Sequence, residues 1–252
     1  MGAIQVAREL TQIIAHRGSK GTRPENTLPA FHAALMDGAD GIETDVHLSK
    51  DGHLIIMHDE KVDRTTNGTG RIVDHTLAEL KQLDAGGWYD AAYAGTQIPT
   101  LDEVVQLLIR QKFTGIFNLE LKTNKIHYEG IETMVADYFN HHEVPFKLVY
   151  SSFYGKSIER LHALQPDVEF DSLFQTKFKT AKRLHAEQII IGYHPDIRWV
   201  RRHWLLLPKV QLRPWTVNTE RDMKFCYRHR FAGLITDYPG LAHRLRVQMQ
   251  GG

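Results

Sequence analysis

The chain is poor in cysteine: Cys226 stands alone among 252 residues. It can form no internal disulfide and no metal site built from several thiolates, which fits a reducing compartment. Net charge is also nearly absent, since 31 Lys and Arg against 30 Asp and Glu leave +1 with histidines neutral. Bulk charge therefore points neither to nucleic acid nor to an anionic membrane surface. No apolar stretch approaches the roughly 20 residues of a membrane span. Residues 1–11 carry Arg8 and Glu9 and no long apolar run, unlike a secretory leader. Position 6 is valine, so the myristoylation pattern beginning at Gly2 fails. Repeats and low-complexity tracts are missing as well. These absences predict a soluble, cytoplasmic chain with no nucleic-acid partner and no integral membrane segment; they leave the oligomeric state open.

What is present is ordinary for a globular protein, with 42% apolar and 24% charged residues. Short apolar runs predict strands over 12–15, 41–46, 116–121, 147–151, 168–173, 188–191, 210–215 and 233–236. Amphipathic stretches predict helices over 27–36, 101–111, 129–141, 156–164, 181–185 and 220–228. Thr76 with Glu79, and Thr100 with Glu103, have the spacing of capping boxes. Eight strands alternating with helices or connections predict one domain, 1–252, folded as a (β/α)8 TIM barrel. A doubly wound sheet lacks its G-x-G-x-x-G signature after the first strand.

Two segments break the alternation. Residues 41–48 and 53–57 are separated only by Ser49-Lys50-Asp51-Gly52. A parallel crossover needs a dozen or more residues, so this pair must be an antiparallel hairpin. A two-residue turn at Asp51-Gly52 sets His58 opposite Asp45, and a turn one residue earlier sets it opposite Glu43. Residues 60–99, after the second barrel strand, hold a short helix at 77–83 and read as a small insertion over one face, a lid in appearance.

The alternation also sorts side chains. Glu43 and Asp45 share one face of a strand flanked by Ile42 and Val46, and Asn118, Glu120 and Lys122 share one face of another. Outward-pointing carboxylates would be unremarkable on an exposed strand, but central barrel strands are covered on both sides. Carboxylates buried together repel unless a cation lies between them or one takes a proton. An all-oxygen set favours Mg²⁺ or Ca²⁺, and no H-E-x-x-H pattern favours zinc. His16 and Arg17 end the first strand, and His58 ends the run at 55–57. A lone histidine there is usually structural. Two of them beside Arg17, Lys122 and three carboxylates map to the C-terminal rim, where barrel active sites sit. Histidines suit acid and base work near neutral pH, while Arg17 and Lys122 suit a phosphate.

The blocks His16-Arg17-Gly18, Pro24-Glu25-Asn26-Thr27, Glu43-Thr44-Asp45-Val46, Ser49-Lys50-Asp51-Gly52, His58-Asp59 and Glu120-Leu121-Lys122 resemble the glycerophosphodiester phosphodiesterase family. Ile98-Pro99-Thr100-Leu101, Trp215-Thr216-Val217-Asn218 and the segment from Gly233 to Pro239 extend the resemblance over nearly the whole chain. It implies a distorted TIM barrel and hydrolysis of small glycerophosphodiesters to glycerol 3-phosphate and an alcohol. It implies His16 and His58 as the acid/base pair and Glu43, Asp45 and Glu120 as metal ligands. It implies that 60–99 is the small domain typical of such enzymes. Trp215 reads as either pocket lining or core. Glu25 and Asn26 read as site residues or helix caps, and Asp237 as a turn or cap. Arg201-Arg202 and the charge run 177–183 read as solvated surface. A lysophospholipase D-like enzyme is the alternative within this chemistry. A glycosidase would leave the histidines, Arg17 and Lys122 without a task, and a non-enzymatic barrel predicts lost motif residues, of which none is seen.

Overall fold

The computed structural model describes residues 10–251. The expectations about a leader and a lipid-attachment pattern fall mainly on residues 1–9, outside the described residues. The chain runs β1 (Gln12–His16), α1 (Leu28–Met36), β2 (Gly41–Leu48), β3 (Leu54–Ile56), α2 (Leu77–Leu80), α3 (Leu101–Arg110) and β4 (Ile116–Leu121). It continues with α4 (Ile131–His141), β5 (Lys147–Ser152), α5 (Gly155–Leu164), β6 (Glu169–Phe174), α6 (Lys179–Ala186), β7 (Gly192–Pro195) and α7 (Ile197–His203). It ends with β8 (Gln211–Leu212), α8 (Glu220–His229), β9 (Gly233–Thr236) and α9 (Pro239–Gln250).

The parallel strands lie in the order β8-β7-β6-β5-β4-β2-β1-β9, with β3 antiparallel on β2. The gap between β8 and β9 is crossed by irregular backbone: Ile235 N donates to Pro214 O at 2.9 Å and Val217 N to Ile235 O at 2.8 Å. This is the expected distorted TIM barrel. Among the described residues, no helix is long and apolar enough to cross a membrane.

Side chains alternate as the sequence requires. Ile42, Val46, Leu119 and Leu121 face outward into the large core beneath the helices. Ile14, Ile116, Val149 and Ile235 form a separate apolar cluster on their own strands. Both expected capping boxes form, at Thr76 with Glu79 and Thr100 with Glu103.

Several expectations need correction. Residues 188–191 are not a strand. Gln188 turns out of α6 at φ 60°, Ile189 N donates back to Leu184 O, and Ile190 packs into the core, so the apolar run seals the end of a helix. The strand starts at Gly192, where a Cβ would stand 2.6 Å from Asp171 Oδ1. The strand expected over 210–215 shrinks to two residues: Arg213 N and Trp215 N still donate to Tyr193 O and Pro195 O, but Pro195, the last residue of β7, has no N–H to return. Helices α7 and α9 were not expected; the Arg201-Arg202 pair lies on α7, whose other face buries Trp199 and Val200.

The hairpin takes neither expected register. Val46 pairs with Ile56, His47 with Ile55 and Leu48 with Leu54. Ser49 N donates to His53 O, leaving a three-residue loop, Lys50 to Gly52, with Gly52 at φ 81°. Glycine reaches that left-handed conformation without the steric cost of a Cβ. Met57 N then donates to Asp45 O at 3.2 Å, which sets His58 one residue beyond that point. Period-two alternation on β3 joins two cores. Ile56 enters the main one, whereas Ile55 and Met57 pack with Val62, Ile72, Leu80, Ala85 and Ile98 from the segment 60–99 and its end. The short helix of that segment spans Leu77–Leu80 rather than 77–83.

Candidate active site

The end of β1 makes a tight turn. Arg17 at φ 53° and Gly18 at φ 78° are both left-handed, and a Cβ on Gly18 would stand 2.6 Å from the Ala30 carbonyl carbon. An arginine in that region costs roughly 1–3 kcal/mol and persists only where its surroundings hold it. Here Arg17 N donates to Glu43 Oε2 at 3.0 Å and Arg17 Nη1 to Glu25 Oε1 at 2.8 Å. Asn26 follows at φ 55°. Its Nδ2 donates to Asp45 Oδ2 at 2.9 Å, and its Oδ1 accepts from Thr44. Thr27, not Asn26, caps α1.

Glu43, Asp45 and Glu120 are buried, each offering a carboxylate oxygen within 4.8 Å of the others. Lys122 Nζ lies 2.9 Å from Glu120 Oε1 and 3.5 Å from Asp45 Oδ1, yet both oxygens lack a hydrogen bond of good geometry. Burial raises the Asp45 carboxyl, but the charges of Lys122, His58 and Arg17 outweigh it and hold the group below its usual range. Burial, then the charges of Asp45 and Glu120, push Glu43 well up. Burial, opposed by Lys122, takes Glu120 to about 7. Without a cation this trio therefore sheds negative charge by binding protons. Clustered carboxylate oxygens with idle lone pairs fit a hard divalent cation, and among the described residues no other group of three or more potential ligands clusters in this way.

Each histidine is backed by a carboxylate. His16 Nδ1 and Asp237 Oδ1 are 2.6 Å apart, and Asn218 Nδ2 donates to Asp237 Oδ2 at 2.8 Å. His58 Nδ1 and Asp59 Oδ1 are likewise 2.6 Å apart, and Arg64 holds both Asp59 and Glu25. Burial first, and Arg17 second, lower His16 to about 4 despite Asp237. Burial lowers His58 as well, against the opposing pull of Asp45. From β2, His47 meets the His58 carbonyl through Nε2 at 3.1 Å and the Tyr128 hydroxyl through Nδ1 at 2.7 Å. The bond to a carbonyl makes Nε2 the donor, so neutral His47 fixes the backbone that carries His58.

A cavity of about 270 Å³ brings together His16, Arg17, Glu43, His58, Glu120 and Trp215. Asp45 is buried beside them, and Lys122 lines an adjoining cavity. All eight residues singled out in the sequence thus meet at one end of the barrel. Trp215 is pocket lining: its Nε1 donates to His194 O at 2.8 Å and its ring meets Phe153 edge-on. Trp88, on the segment 60–99, lines neither of these cavities. Asp237 is a histidine partner rather than a plain turn residue. It directly follows β9, level with His16 at the end of β1, and that shared placement was the available signal. Asp59 and Arg64 were missed because a charged residue in a turn has no period to mark it.

The model of the glycerophosphoryl diester phosphodiesterase family matches residues 16–241. Over 252 aligned residues the chain is 36% identical to a glycerophosphodiester phosphodiesterase of Bacillus altitudinis, covering 96% of this chain and 100% of that one. It is 37% identical to one from Caldanaerobacter subterraneus, covering 91% of this chain and 95% of that one. Among solved structures it is similar to a phosphodiesterase from Oleispira antarctica in complex with the product sn-glycerol-3-phosphate, with a TM-score of 0.81, 32% identity, and coverage of 94% of this chain and 96% of that one.

Proposed function

The chain belongs to the glycerophosphoryl diester phosphodiesterase family, and from that premise we propose how its residues hydrolyse a glycerophosphodiester to glycerol 3-phosphate and an alcohol. The observation that carries this reading is one cavity holding two carboxylate-backed histidines beside three clustered acids. Glu43, Asp45 and Glu120 would hold a divalent cation, Mg²⁺ or Ca²⁺, which when bound supplies positive charge to a phosphate oxygen and a place for a glycerol hydroxyl. Arg17 and Lys122 add fixed positive charge where negative charge grows on the phosphoryl oxygens. Trp215 and Phe153 present an apolar wall to the glycerol carbons. One histidine takes the proton of the nucleophile through Nε2, and the other gives a proton to the departing alkoxide. The same pair serves water directly, or the substrate's own neighbouring hydroxyl first and then water, which opens the resulting cyclic phosphate to glycerol 3-phosphate. A cytoplasmic site of action fits the lone, buried Cys226.

In this reading Asp237 positions His16 and stabilises its protonated ring. Removing that carboxylate lowers the His16 pKa further, so the ring becomes a weaker base. Asp237→Asn is expected to cut kcat by about ten- to a hundredfold, the range for a histidine-orienting partner, and to move the limb of the rate profile that His16 governs to lower pH. A purely structural role would lower the thermal midpoint and leave that limb in place.

The reading as a whole is tested by glycerol 3-phosphate release from a panel of glycerophosphodiesters, after chelation and with Mg²⁺ or Ca²⁺ restored. Release that disappears with the chelator and returns with the metal is expected. Release from no member of the panel would sink the hydrolase reading, and full release under chelation would sink the cation site.

A further inference from the structure

Beside the cavity that holds the acids lies a wider one, about 420 Å³ against about 270 Å³. The two share His58, Phe153, Leu173 and Gln175, so they meet at a histidine. A diester has two arms, and a phosphorus atom at this junction sends one into each cavity. The glycerol arm is common to every substrate and has hydroxyls to offer the acids, which assigns it to the smaller cavity. The wider cavity is left for the alcohol, the arm that varies.

The lining of the wider cavity has one sign. It contains Lys122, Lys125 and Lys177, with neutral Asn124, Gln175 and Thr176 between them, and no carboxylate. Lys122 faces Glu120, and Lys125 pairs with Glu60 at 3.0 Å across the rim. Lys177 is exposed and makes no ion pair among the described residues. It sits just before α6, in the charge run that reads from sequence as solvated surface. Phe153 and Phe174 are also present, but an aromatic surface crowded by ammonium groups is a poor seat for a quaternary amine, whose charge they repel. A long acyl chain gains little from this polar lining, so the structure does not favour the lysophospholipid alternative.

We propose that this cavity is the alcohol subsite and that Lys177 makes it select alcohols carrying a further anionic group, a phosphate or carboxylate, over alcohols ending in a quaternary ammonium. The inference rests on the hydrolase reading above and narrows its substrate class. Opposite unit charges a few ångströms apart at a water-exposed rim change binding by roughly fivefold, and reversing one charge changes it by the square of that.

The test compares kcat/KM for three diesters that share the glycerophosphate half and differ in the alcohol: phosphorylated glycerol, glycerol and choline. The expected order is anionic, then neutral, then cationic, with roughly fivefold between steps and a spread that shrinks in 0.5 M salt. Lys177→Glu is expected to lower the anionic-to-cationic ratio by at least about tenfold, mainly through KM. Arg110→Glu, an exposed charge reversal at the end of α3 by the opposite mouth of the barrel, is expected to leave the ratio alone. Equal kcat/KM across the three alcohols, or a ratio that Lys177→Glu does not move, overturns the inference while leaving the hydrolase intact. Release from none of the three overturns both.

Discussion

His58→Ala and His16→Ala are each expected to lower kcat by at least about a hundredfold, the low end for a general acid or base, with the fold intact. Each ring lines the cavity beside the acids, and each has its Nδ1 engaged by a carboxylate, which leaves Nε2 for the substrate. Burial of His16 keeps its ring neutral down to about pH 4, so it is ready to accept a proton at neutral pH. His58 gives the cleaner test of the pair. It lies two residues past the edge strand β3, its side chain is 30% exposed, and the hairpin is held by backbone bonds and by Ile55, Ile56 and Met57 rather than by the ring. Its loss should therefore cost little stability. Turnover is read by glycerol 3-phosphate release, folding by circular dichroism and thermal midpoint. Near-normal turnover in either variant would remove that histidine from the chemistry, and neither result depends on which ring acts as acid.

The second large effect concerns the acids. Without a cation, burying Glu43 and Glu120 beside Asp45 forces protons onto them, and glutamine mimics the protonated form without that penalty. Glu43→Gln and Glu120→Gln are expected to melt at or above the wild-type temperature in chelator. Turnover should fall at least about a hundredfold, since even partners outside the ligand set commonly cost ten- to a hundredfold. Wild-type protein should melt higher when Mg²⁺ or Ca²⁺ is added, by about 2.7 kcal/mol at a hundredfold excess over Kd, and the variants should lose most of that gain. Calorimetry with and without metal separates the outcomes. An undiminished metal-induced rise in both variants would place the cation elsewhere.

Much of this was legible in the sequence because it follows from period and burial. The strands at 116–121 and 233–236 match their predicted bounds, and alternation alone put Glu43 with Asp45 and Glu120 with Lys122 on the inner face. What was not legible depends on contacts distant in the chain or on turn geometry. Asp237 reaches His16 across 221 positions, and nothing local distinguishes it from a cap. The hairpin register turns on whether Lys50 joins the loop, a choice settled by Ser49 pairing with His53. Residues 188–191 look like a strand because a helix end sealed by isoleucines and a buried strand share the same composition. Lys177 was absorbed into a charged run because exposure says nothing of which cavity a lysine borders.

The strand that delivers His58 is shared between two cores of very unequal size. A small apolar cluster opens at lower free energy than a large one. Loosening of residues 60–99 withdraws the packing of Ile55 and Met57 and lets His58 drift from the acids while the barrel stays whole. On gentle warming, turnover therefore gauges the satellite cluster, whereas ellipticity gauges the barrel. The gap between the two curves measures how tightly the satellite is fastened.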